Sequence, residues 1–212
     1  MDSAMQNLVV GGHTRNIGKT ALVVDLIRAF PEAHWTAIKI TQYGHGVCSI
    51  NGAGCGCAPD EHTVSLDQEQ DRSNHTDTSR FLVAGAERAF WVRAKQGRLA
   101  EALPLLRDVW RGAGNVIVES NSVLQFLRPD LYLVVLDPGR EDFKDSARQA
   151  LDRADAFVLR SPLPSEGSVW STVSPRLLEG RPAFLAPLGG ALPQACKDFV
   201  LNRFFGGKRV SA

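Results

Sequence analysis

The sequence predicts a three-layer α/β fold built on a mostly parallel sheet of about seven strands. Three observations point there. Short apolar, β-branched runs alternate with amphipathic stretches of helical period. The runs are nearly continuous in hydrophobicity, as strands covered on both faces require. The first run also ends in glycines and passes directly into a helix-like segment, the arrangement of a phosphate-binding turn.

Taken in order, the strand candidates are "NLVVGG", "WTAIKI", "RAFWVRA", "NVIVES", "LYLVVLD", "DAFVLR" and "PAFLAP". Each is short, apolar and followed by punctuation or a polar turn. Helical periodicity falls between them at about 19–30, 78–86, 99–112, 142–153 and 193–205, so right-handed crossovers join neighbouring parallel strands. Residues 41–74 break the alternation, being polar, rich in glycine and acids, and without either period. A loop of that length inside a compact domain is usually functional or disordered. Residues 161–174, with their prolines and serines, form a second irregular connection. Neither composition shift marks a boundary, and 1–212 is expected to be a single domain with an inserted Cys/His-rich loop at about 41–74.

Composition bounds the function. With 212 residues and 44% hydrophobic content the chain can bury one substantial core. Lysine and arginine number 24 against 23 acids, so no global field recruits nucleic acid or an anionic membrane. No signal peptide is evident, and no apolar run nears the roughly 20 residues that span a bilayer. The expectation is a cytoplasmic protein. Three of the four cysteines crowd together, which suits a metal or redox site in a reducing compartment better than a disulfide framework.

"GGHTRNIGKT" carries the strongest chemical signal. A strand feeding a helix through Gly-Lys-Thr gathers backbone N–H groups and a positive helix end around one point, which stabilises a phosphate. Gly12, His13, Thr14, Arg15, Asn16, Ile17, Gly18, Lys19, Thr20 and Ala21 make up that site. Lys19 would reach the β and γ phosphates, and the Thr20 hydroxyl would ligate Mg²⁺ beside ATP or GTP. Five residues separate Gly12 from Gly18 where the usual pattern has four, and His13 stands where the first motif glycine is normally found.

This loop resembles that of dethiobiotin synthetases, which also run Gly, five residues, Gly-Lys-Thr. "AIKITQYGHG", "NHTDTSRFLVAGA" and "NVIVES" resemble segments of the molybdopterin-guanine dinucleotide biosynthesis adaptor family. Both are P-loop NTPases, and the likeness covers roughly residues 6–160. The resemblance implies a P-loop NTPase type of fold and a homodimer that works with a cofactor-biosynthesis protein partner. It implies that Lys39 faces the phosphates and that Glu119 and Asp77 help hold Mg²⁺ or its waters, with Lys19, Lys39 and Glu119 as the catalytic set. The chemistry agrees, because such a site needs an acid on a neighbouring strand tip to fix the metal. Asp77 also suits a helix N-cap; Arg80 is a phosphate or partner contact, or a surface charge. Where many such proteins read guanine after the sixth strand with Asn-Lys, this chain has Arg160, Ser161 and Pro162. Ser120 replaces the family glycine after Glu119.

"HGVCSINGAGCGCAPDEH" offers Cys48, Cys55, Cys57 and His62 as a tetrahedral Zn²⁺ tetrad, with His45 as a further candidate. A redox or iron–sulfur role and unligated thiols are the alternatives. His75 is a weaker candidate for either site, His34 is expected to have no catalytic role, Cys196 is expected in the core, and Trp110 and Trp170 as packing anchors. Three functions follow. The first is a Mg-dependent nucleoside triphosphate-binding, weakly hydrolysing adaptor of cofactor biosynthesis. The second is an ATP-dependent ligase or kinase of the dethiobiotin synthetase kind. The third is a nucleotide-gated metal-binding or chaperone module.

Overall fold

The computed structural model describes residues 5–43, 63–163, 170 and 173–206. Cys48, Cys55, Cys57, His45 and His62 lie outside the described residues, and with them the zinc reading. Eight strands form one sheet in the order β3-β4-β2-β5-β1-β6-β7-β8. They are β1 (Gln6–Gly12), β2 (Trp35–Tyr43), β3 (Val64–Gln68), β4 (Arg88–Lys95), β5 (Asn115–Glu119), β6 (Leu131–Leu136), β7 (Ala156–Leu159) and β8 (Ala183–Leu185). All pairings are parallel except β3 with β4.

Seven of these are the seven expected runs; β3 is the addition. It lies inside the stretch 41–74 expected to be irregular, and β2 runs on to Tyr43 into the same stretch. Only Val64 and Leu66 of β3 turn inward, against the core. Two apolar residues are too few to show a period, so this edge strand is defined by its partner β4.

Helices cover both faces, giving the expected three layers. On one side α1 (Lys19–Ala29), α2 (Asp77–Ala84) and α5 (Gln194–Val200), which continues as a π-turn over Leu201–Phe205, enclose Leu8, Val10, Leu22, Leu26, Phe81 and Phe204. Cys196 is buried there, as expected, and burial raises its thiol pKa to about 11. On the other side α3 (Leu103–Arg111) and α4 (Asp145–Arg148) cover Val9, Ile38, Leu106, Val118 and Val134. β5 and β1 lie in the middle and are buried along all but their first residues, and their C-terminal ends open onto a crevice between layers, where open α/β sheets bind ligands.

Two expected helices are shorter than their periodicity implied. The 99–112 stretch begins as a 3-10 turn over Leu99–Ala102 before α3, because Pro104 in the first helical turn has no N–H to continue an earlier helix. The 142–153 stretch reduces to the single turn of α4 and a 3-10 turn over Leu151–Arg153. No helix among the described residues is long and apolar enough to cross a membrane.

Candidate functional site

The loop 12–18 joins β1 to α1. Gly18 stands at the helix start in the left-handed region, φ 85°, and no side chain caps α1. Its first-turn amides therefore point at the cleft, and the helix has no acidic residue in that turn to compete for them. Asn16 is also left-handed, φ 55°. A Cβ on Gly11 would lie 2.3 Å from Asn121 Oδ1 and 2.6 Å from the Tyr132 hydroxyl, so the backbone here tolerates no side chain.

The register of the sheet assembles the acidic side. Lys39 of β2 lies opposite Glu119 of β5, and Glu119 opposite Val10 of β1. All three sit on the α1 face of the sheet, so Thr20 in the first turn of α1 meets them. The Thr20 hydroxyl donates to Glu119 Oε2 at 2.8 Å, and Lys39 Nζ donates to Glu119 Oε1 at 3.3 Å and to Asp77 Oδ2. Glu119 is only 5% exposed. Burial works against the charge on Lys39, but Glu119 and Asp77 more than offset it and its pKa is raised. Arg80 completes the group, 3.5 Å from Asp77 Oδ1.

Asp77 does not cap α2. The cap is Thr76, whose hydroxyl accepts from Ser79 N while the Ser79 hydroxyl accepts from Thr76 N. Asp77 is the first helical residue, with its carboxylate free to face Lys39. Lys19 folds back across the loop and donates to Thr14 O at 2.7 Å. Its pKa is lowered by burial, with Lys39 and Arg15 adding to the effect and Glu119 and Asp77 opposing it. A cation held in this way gains strongly from an anion. Two carboxylates and a threonine hydroxyl form an oxygen set suited to Mg²⁺, which takes one or two carboxylates and completes its shell with phosphate and water. Among the described residues no cluster of three or more His, Cys, Asp or Glu forms a metal cage.

Of the loop residues, His13 and Ile17 turn inward. The His13 ring is fully buried, 5.2 Å from both Phe143 and Trp170, and burial lowers its pKa. The His13 backbone is engaged as well, its N–H donating to Val135 O at 3.2 Å and its O accepting from Lys144 N at 2.8 Å, so His13 supports the loop from within. Thr14 donates to Asp142, and Arg15 and Asn16 are exposed. Trp170 is a packing anchor as expected, and Trp110 is partly buried on the same face. His34 pairs with Glu87 at the surface, remote from the site.

Two residues that hold the loop carried no sequence signal as such. Asn121 donates to Gly12 O at 2.8 Å and accepts from Gly12 N at 2.9 Å, satisfying both backbone groups of the last β1 residue. Arg160, at the end of β7, donates to Ile17 O at 3.1 Å, Gly18 O at 2.5 Å and Ala186 O at 2.7 Å. Arg160, expected only as a departure from a guanine-reading pair, braces the loop from behind. Ser120 is likewise structural, its hydroxyl accepting from Val123 N at 3.2 Å.

These features lie along one cleft of about 1360 Å³, lined by loop and helix residues that include Arg15, Lys19 and Thr20 and also by Phe126, Lys144 and Gln149. A strand, a glycine-bounded loop and an uncapped helix, with an acid on the adjacent parallel strand, define the P-loop NTPase type of α/β fold. No protein-family profile matches the chain, and no curated protein sequence matches it. Among solved structures it is similar to LpxK from Aquifex aeolicus in complex with ATP, at 15% identity and TM-score 0.46, over 85% of this chain and 53% of that one. The chain thus spans about half of that protein. It is also similar to a MobB protein homologue from Bacillus stearothermophilus, at 14% identity and TM-score 0.39, over 85% of this chain and 88% of that one.

Proposed function

We propose that the protein binds a nucleoside triphosphate with Mg²⁺ at Gly12 to Ala21 and transfers or hydrolyses its γ-phosphoryl group. The observation that carries this is the convergence of Thr20, Lys39, Asp77 and Glu119 at the mouth of an uncapped, glycine-bounded helix. The α1 amides and Lys19 would take the β and γ phosphates; Thr20, with Glu119 directly or through water, would take the metal. Lys39 now neutralises Glu119 and Asp77. With Mg²⁺ present it would be released toward the γ-phosphate, where developing charge needs it. Slow hydrolysis is the expectation.

The resemblance of "AIKITQYGHG" and "NVIVES" to the molybdopterin-guanine dinucleotide adaptors supports a role in cofactor biosynthesis, in the cytoplasm and as a dimer with a protein partner. The size of the cleft favours the kinase or ligase reading, in which a second molecule takes the phosphoryl group. Zn²⁺ at Cys48, Cys55, Cys57 and His62 belongs to the third reading, a nucleotide-gated metal-binding module, and metal analysis of the purified protein with and without nucleotide tests it. The test is Lys19→Ala: calorimetry should show ATP and GTP binding lost, and Glu119→Gln should abolish the Mg²⁺ dependence of whatever affinity remains. Unchanged affinity in Lys19→Ala would sink the reading.

A further inference from the structure

Beside the phosphate loop the charges are arranged differently from those around Glu119. Lys39 and Arg80 are matched by Asp77 and Glu119, but Arg15 and Lys144 have no ion pair among the described residues, and both line the cleft. Their placement is built into the fold. Lys144 N donates to His13 O at 2.8 Å, and Thr14 donates to Asp142, so the segment after β6 that carries Lys144 is laced to the phosphate loop that carries Arg15. Lys144 is half-buried and its pKa falls to about 8. Burial is the main cause, Arg15 and Lys19 add to it, and only Asp142 opposes it. A partly desolvated ammonium beside the like charge of the exposed Arg15 is costly unless an anion joins them.

A nucleotide does not use the whole space. Pockets for single small ligands span roughly 300–1,000 Å³, and this cleft measures about 1360 Å³ and continues past Lys144 to Phe126 and Gln149. Resting on the nucleotide reading above, we propose that Arg15 and Lys144 form a second anion subsite, which holds the carboxylate or phosphate group of a small-molecule substrate bound alongside the nucleotide. The exposed Phe126 ring and the Gln125 and Gln149 amides on the same wall would contact the body of that molecule.

The experiment fills the loop with the non-hydrolysable Mg²⁺ complex of AMPPNP, then titrates inorganic phosphate and, separately, succinate, followed by calorimetry and, for phosphate, ³¹P line width. The wild-type complex should bind one equivalent of at least one of them; the stronger of the two names the group. Lys144→Met should weaken that second binding about tenfold or more, the loss of one charge-assisted hydrogen bond. Its AMPPNP affinity should stay within about threefold, and Lys144→Arg should retain both. Second-anion binding should also weaken as pH rises through about 8 in the wild type, but not in Lys144→Arg.

The proposal is overturned if neither anion binds the filled wild-type protein, or if Lys144→Met leaves the second binding unchanged. It is also overturned if Lys144→Met weakens AMPPNP as much as the second anion, because Lys144 would then serve the nucleotide. Failure of the nucleotide reading itself shows separately, as absence of AMPPNP binding to the wild type.

Discussion

Replacing Arg160 with methionine removes three hydrogen bonds to the backbone behind the phosphate loop while keeping an apolar stem of similar length. The guanidinium, in a residue 8% exposed, donates to Ile17 O, Gly18 O and Ala186 O at 3.1, 2.5 and 2.7 Å. Hydrogen bonds from a charged donor contribute about 1.5–3 kcal/mol each, which for three sets an upper range of about 4.5–9 kcal/mol. Two effects reduce it. Gly18 O keeps the helical bond from Leu22 N at 3.0 Å. Burial of the guanidinium is itself unfavourable, as its lowered pKa shows. The expected loss is therefore about 3–5 kcal/mol, a large part of the 5–15 kcal/mol typical of a domain. Urea denaturation should show a lower midpoint with an unchanged slope. In the folded variant, nucleotide affinity should fall by about tenfold or more, because Gly18 is no longer held in its left-handed conformation. Arg160→Lys should recover only part of both, since an ammonium cannot reach three carbonyls in fork geometry. A loss below about 1 kcal/mol, with nucleotide affinity unchanged, would refute the bracing role.

Gly11→Ala forces a Cβ to within 2.3 Å of Asn121 Oδ1. The expected cost is about 1–3 kcal/mol, with weaker nucleotide binding as Asn121 is pushed off Gly12; a neutral melt would contradict the close packing. Lys39→Met leaves Glu119 buried without its cation and should lower apo stability by about 3 kcal/mol. Thermal melts should show the deficit shrinking when Mg²⁺ and nucleotide are added, and an equal deficit in both states would count against metal at Glu119. Burial lowers the His13 pKa below its ordinary 6.5, so on acidification the unfolded chain takes up this proton before the folded one. Stability should fall between pH 6.5 and the lower folded-state value. His13→Gln should flatten that part of the profile, and parallel profiles would show that His13 is not the group responsible.

Much of the site was legible because its parts are local. Gly12, Gly18, Lys19 and Thr20 lie within one strand–turn–helix, and the strand that carries Glu119 announces itself by hydrophobicity. Lys39 and Asp77 came from resemblance; sheet register explains why Lys39 meets Glu119, and the start of α2 brings Asp77 to Lys39. The sequence left Asp77 open between cap and metal residue; one residue of offset settles its place, because Thr76 takes the cap. Arg160 and Asn121 were not legible as loop supports. Each acts on backbone more than a hundred residues away in sequence, at a place that exists only once β5, β1 and β7 lie in one sheet.

Sequence by itself determined the layered α/β class, seven of the eight strands and the phosphate loop, because hydrophobic period and glycine punctuation act over a few residues. Tertiary structure alone decided the antiparallel edge strand β3, whose two inward residues are too few to form a pattern. It alone turned the His13 ring away from the loop and into the contacts with Phe143 and Trp170. It alone set the matched charges at Glu119 apart from those at Arg15 and Lys144, which have no ion pair among the described residues, because ion pairing depends on which strand ends and loops meet at the crevice, and no local spacing encodes that.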